Sequence, residues 1–192
     1  MIGAVGFTRA ELESFAGTTV PDLLGPGLRL LFVGINPGLW TAATQTHFAH
    51  PGNRFYPALF LGGVIDRPID RGTGFTDEDR DYLVRRGIGI TNLAKRATAK
   101  ASELTTDELR RGGEALRALV HERAPAVVAV AGITAYRTAF GNAKVALGEQ
   151  AGGFEGARLW IVPNPSGLNA HETVETLAVA YREPAIAAGL EC

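Results

Sequence analysis

The chain has 192 residues, 46% of them hydrophobic and 20% charged, with a formal charge of −1 and one cysteine, Cys192. That length supports a compact core without staples, expected as a single domain over residues 1–192, and one cysteine excludes disulfides and multi-cysteine metal or iron–sulfur sites. A near-neutral chain does not hold nucleic acid by bulk charge, so any such footprint must be small or local.

The Thr8 and Glu11 spacing in FTRAELESF (7–15) is that of a capping box and predicts a short helix. The apolar run LRLLFVGI (28–35) predicts a strand, followed by a loop rich in Gly, Pro, Thr and His over 36–52. A short helix is expected over 53–63, with Pro57 tolerated only in its first turn. DEDRDYLVRRG (77–87) reads as a helix ended by Gly87, and IGITNL (88–93) as a short strand. The longest helix is expected over 106–124, with Leu109, Leu116, Leu119 and Val120 on one face and a weakening Gly112-Gly113 pair. PAVVAVAG (125–132) has the continuous apolar character of a strand buried on both faces. A short helix (133–141), a fourth strand (158–163) and a closing helix kinked or ended near Pro184 complete the chain. Strands alternating with helices predict an α/β fold with a parallel sheet covered on both faces.

In such sheets ligands bind beyond the carboxyl ends of the strands. Two similar loops leave strands at that edge: GINPGL (34–39) and VPNPSGL (162–168). TNLAKRAT (91–98) leaves a third strand there. Asn-Pro-Gly is good turn chemistry in its own right, but three converging loops point to a site. The groups available are neutral: Asn36, Asn92, Asn164, Ser166, Thr41, His47 and Phe48. Neither GxxxxGK[ST] nor GxGxxG nor GxSxG is present, which argues against P-loop, dinucleotide and serine-hydrolase chemistry. His47 and His50 lack the companions a zinc site needs. The N-terminus lacks a basic and apolar leader, and no apolar run reaches the ~20 residues of a membrane span, so a cytoplasmic location is expected.

Four ordered motifs, GINPGL, FAHPGNRFY (48–56), GITNL (89–93) and VPNPSGL, resemble the mismatch-specific uracil-DNA glycosylase and thymine-DNA glycosylase family across roughly 28–182. The resemblance implies a three-layer α/β/α domain with a mainly parallel sheet. It implies a monomeric, bacterial-type enzyme without metal or cofactor that acts on chromosomal double-stranded DNA containing G:U or G:T mismatches or damaged pyrimidines. By the same resemblance, Asn36 holds the attacking water; Ile35, Thr41, His47, Phe48 and Asn92 surround the base, with Phe48 stacking on it. Leu168, flanked by Gly167 and Asn169, is the wedge that fills the vacated stack. Ser166, Lys95, Arg96 and His171 contact the DNA backbone, and Lys100 joins Lys95 and Arg96 in a local positive patch. Bacterial members often carry an arginine two residues after the leucine, where this chain has Ala170. Two other readings stay open on the residues alone: a damage-binding module that does not cut, and a hydrolase of free nucleosides.

Overall fold

The computed structural model describes residues 6–192; the extreme N-terminus, on which the expectation of no leader partly rests, lies outside them. Its elements in chain order are α1 (Arg9–Glu13), β1 (Leu30–Gly34), α2 (Leu39–Thr44), α3 (Phe55–Leu61), α4 (Asp77–Arg85), β2 (Ile88–Asn92), a 3-10 turn (Ala101–Glu103), α5 (Thr106–Arg123), β3 (Val127–Ala131), α6 (Ile133–Phe140), β4 (Gly148–Phe154), β5 (Ala157–Val162) and α7 (Val174–Ala187). The five strands form one sheet in the order β2-β1-β3-β5-β4, parallel except for β4, which pairs antiparallel with β5.

The period of two along each strand divides the core into two layers. Leu30 and Phe32 of β1 pack with Phe55 and Leu59 of α3, Leu83 of α4 and Tyr181 of α7. Leu31 and Val33 face the other way, onto Leu116 and Val120 of α5 and Tyr136 of α6. β1, β2 and β3 are buried along their whole length, β2 even though it ends the sheet, which is why their sequences are apolar without alternation. The expected mainly parallel three-layer α/β architecture is what forms.

Three local features depart from or refine the sequence reading. β4 is an added edge strand; its sequence, GEQAGGF, is poor in strand-forming residues, and its conformation depends on pairing with β5. The closing helix runs through Pro184 to Ala187 rather than ending there. Tyr181 and Ala185 are buried on either side of that proline, and Gly62 lies close under the Ala178 carbonyl, so packing of α7 on α3 carries the helix past the lost hydrogen bond. The Gly112-Gly113 pair lies inside α5 because the helix passes hard against the chain after β2. A Cβ at 112 would strike the Leu93 carbonyl, and one at 113 would lie 3.0 Å from the Phe140 ring.

Candidate active site

β1 is flanked by β2 on one side and β3 on the other, so a crevice opens beyond its carboxyl end. The register sets Gly34 opposite Asn92, and the chains beyond them continue side by side. Leu93 N donates to Gly34 O, Ala94 N to Ile35 O, and Thr98 N to Pro37 O. The loops 34–38 and 93–98 are therefore stitched into one platform.

Asn36 sits on that platform with its amide orientation determined by its neighbours. Its Nδ2 donates to Thr98 Oγ1 at 2.8 Å, Pro37 O at 3.0 Å and Arg96 O at 3.1 Å. Two of those partners are carbonyl oxygens, which can only accept, so the NH2 must face them. Thr98 Oγ1 in turn donates to Lys100 O at 2.8 Å, which leaves its lone pairs for Asn36. Among the described residues no protein donor reaches Asn36 Oδ1. The sequence places this loop, TNLAKRAT, at the site edge but gives Thr98 no role; its only signal was position, a hydroxyl six residues after a strand end.

Asn92, only 6% exposed, ends β2. Its Nδ2 donates to Nδ1 of His47 at 3.2 Å, and Nε2 of His47 lies 2.9 Å from Pro21 O. Because Pro21 O can only accept, Nε2 carries the proton and Nδ1 is the acceptor. His47 is 3% exposed, and burial takes its pKa down to about 4, with the Pro21 hydrogen bond opposing that shift. A neutral, buried imidazole does not reach a DNA phosphate. The expectation that His47 lies near the base or a phosphate is thus revised: it stands behind Asn92 and orients it.

Gly34 lies beneath Asn92 and Phe48. A Cβ there would collide with Asn92 Oδ1 and sit 3.3 Å from Phe48 Cζ. The Phe48 ring stacks on Phe55, centroids 4.1 Å apart and planes 27° from parallel. Its backbone is left-handed, at φ 55°, a conformation that bulky residues rarely adopt and that surrounding contacts must enforce. One of those contacts is Tyr56, whose hydroxyl donates to the neighbouring His47 carbonyl at 2.8 Å. Thr41 lies in α2, buried at 5% exposure. The Ile35 side chain packs toward Gly132 and the α5 and α6 layer.

The second Asn-Pro loop follows β5. Asn164 Oδ1 accepts from Ser166 N at 3.0 Å, Asn169 N donates to Ser166 O at 2.9 Å, and Asn169 Nδ2 donates to Asn164 O at 3.0 Å. These bonds tie the loop into a compact turn whose tip carries Leu168, 89% exposed. Gly167 presses on the loop before α3: a Cβ there would lie 2.6 Å from Gly52 O.

The uracil DNA glycosylase superfamily model matches residues 21–184. The chain belongs to the uracil DNA glycosylase superfamily. It is similar in fold to a solution NMR structure of a protein from Methanosarcina acetivorans provisionally named as a uracil DNA glycosylase, with a TM-score of 0.56, 16% identity, and coverage of 86% of this chain and 96% of that one.

Not every residue expected to serve DNA in this superfamily member is free to do so. Lys95 is held by both carboxylate oxygens of Asp22, at 2.7 and 2.8 Å, and by Thr91 Oγ1 at 2.6 Å. Arg96 pairs with Glu108 at 2.8 Å, and its hydrogen bond holds the Glu108 carboxyl down to about 2. Lys95 and Arg96 are each matched by an anion, so the positive patch expected from Lys95, Arg96 and Lys100 is offset by Asp22 and Glu108, although both cations stay partly exposed. Ser166 and His171 lie on or beside the loop that presents Leu168, with His171 exposed. No helix among the described residues is long and apolar enough to cross a membrane.

Proposed function

We propose that this protein is a monofunctional DNA glycosylase that flips uracil out of G:U mispairs in double-stranded DNA and hydrolyses its N-glycosidic bond, leaving an abasic site. The observation that carries the reading is the locked amide of Asn36, whose Oδ1 receives no protein donor among the described residues and is left to accept a hydrogen bond from water. A neutral positioner suffices if the C1′–N1 bond breaks ahead of nucleophilic attack. The bonding electrons leave with uracil as a delocalised anion, the sugar takes oxocarbenium character, and the held water adds to C1′, its surplus proton passing through solvent to neutralise the uracil anion. Catalysis then rests on orientation and fixed dipoles rather than on a strong base.

Asn92 supports the choice of base. With one N–H committed to His47, its second N–H and its Oδ1 complement O4 and N3–H of uracil. Cytosine presents the opposite pattern, a donor at N4 and an acceptor at N3. Phe48, already backed by Phe55, offers the stacking face. Leu168 supports the reading of a duplex substrate: an exposed leucine on a rigid turn suits a wedge that fills the gap left by a flipped nucleotide. Thr41 supports a preference for uracil over thymine, its bulk crowding a 5-methyl group. A mismatch-directed branch, a single domain and action as a monomer belong to the same proposal.

The test is incubation with duplexes carrying one U, T or ethenocytosine opposite G, followed by alkaline cleavage. Strand breaks at uracil, lost in Asn36→Ala, are expected. DNA binding without cleavage by the unaltered protein overturns the reading in favour of a damage reader, and release of bases from free nucleosides with no effect of Leu168→Ala favours a nucleoside hydrolase.

A further inference from the structure

Arg54 has no part in the roles above, yet its contacts converge on the loop that carries Leu168. It immediately precedes α3, and its backbone N–H donates to Pro165 O at 3.0 Å. From its guanidinium, Nη2 donates to Ser166 O at 2.6 Å and to Asn169 O at 2.8 Å, while Nη1 donates to Glu172 O. One side chain thus grips three carbonyls spaced along residues 166–172, on both sides of the exposed tip. Gly52, two residues earlier, fills the space under Gly167. The chain that grips the tip is the same chain that, six residues earlier, carries Phe48.

The chemistry of this grip is specific. A guanidinium presents a planar fork of donors that can serve several acceptors at fixed angles, which an ammonium cannot. No carboxylate among the described residues forms an ion pair with Arg54. Its charge is therefore left to the carbonyls and to whatever anion meets the loop, whereas Lys95 and Arg96 spend theirs on Asp22 and Glu108.

We infer that Arg54 is the positioning residue of the wedge: it locks the 164–172 loop to the segment carrying Phe48, so that insertion of Leu168 and capture of the flipped base occur as one rigid-body event. The anchoring stands on the geometry alone, while its consequence for excision rests on the glycosylase reading. A loop held in its inserting shape loses no freedom on binding, so the advantage is one of preorganisation. It matters most where the base must be pulled from an intact stack and least where stacking is already lost.

The experiment compares the unaltered protein with Arg54→Lys and Arg54→Met by single-turnover excision of uracil from two substrates, a paired G:U duplex and the same uracil inside a mismatch bubble. Amide hydrogen exchange of 164–172 is followed in parallel. The expected result is a loss of about tenfold or more on the paired duplex for both variants, a much smaller loss on the bubble, and faster exchange in the loop with β3 unchanged. Arg54→Lys keeps the charge without the fork, so near-complete rescue by lysine overturns the positioning role. Equal losses on both substrates, or unaltered loop exchange, also overturn it. If Arg54→Met fails to fold, Arg54→Lys and Gly167→Ala, which drives a methyl toward Gly52 O, carry the same comparison. Absence of any uracil excision by the unaltered protein counts against the glycosylase reading alone, and the exchange arm still decides whether Arg54 holds the loop.

Discussion

The two Asn-Pro loops share a sequence pattern and a place at the sheet edge, but their asparagines are used in opposite ways. Asn36 directs its NH2 into the protein, to Thr98, Arg96 and Pro37, and leaves its oxygen outward. Asn164 turns its oxygen inward, to the Ser166 N–H, and serves the loop's own shape. What the second loop presents is apolar: Leu168, 89% exposed. The same turn chemistry thus builds a polar holder in one place and a hydrophobic tip in the other. Which atom of an asparagine is left over depends on the neighbours that use the rest.

The sharpest way to break this comparison is at Asn36. Asn36→Ala is expected to lower single-turnover excision of uracil by about 10²–10³, the range for removing one preorganised polar group from an active site, with duplex affinity retained. Thr98→Val, which removes the one side-chain acceptor among the three that hold the Asn36 amide, should lower excision in the same direction by a smaller factor.

Acid should break the Asn92 arm next. Burial holds the folded His47 pKa at about 4 against an ordinary 6.5. Between those values the unfolded chain binds a proton that the folded chain refuses, so stability rises with pH through the window and falls as pH drops from 6.5 toward 4. The total is on the order of 3 kcal/mol. Urea unfolding at pH 7 and at pH 4.5 should show the loss, and His47→Gln should flatten it. Protonation of Nδ1 also sets N–H against N–H at Asn92, so uracil excision by the folded protein should decline as pH approaches about 4.

Phe48→Ala removes a stacking face worth ~1–3 kcal/mol per base, which corresponds to a loss of about 5- to 150-fold in excision. Leu168→Ala separates the two loops most directly. It should cost about tenfold on a paired duplex, where unstacking must be offset, and little on a bubble, whereas Asn36→Ala should reduce both equally. The smallest effect is expected at Thr41. Thr41→Ala should leave uracil removal near its original rate and raise thymine removal relative to it by about tenfold, as suits relief of one crowded methyl group; faster removal of thymine than uracil by the unaltered protein would sink that role.

Sequence alone determined the frame. The unbroken apolar runs of β1, β2 and β3 are legible because strands buried on both faces cannot carry polar residues, and Thr8 shows in the sequence as a cap because capping is a local bargain between residues three apart. The ordered motifs put Asn36, Phe48, Asn92 and Leu168 on loops expected at one sheet edge. Tertiary structure decided what those residues do to one another. His47 reads as a polar loop histidine in sequence, yet the fold buries it between Pro21 and Asn92, and that burial holds it neutral. Lys95 and Arg96 read as a basic patch, yet Asp22 and Glu108, 73 and 12 residues away, occupy them. Arg54 lies in the FAHPGNRFY motif without a role of its own, but it gathers carbonyls more than a hundred residues further along. Such partnerships depend on which groups the fold brings within hydrogen-bond reach. That is a property of distance in space, which spacing along the chain does not contain.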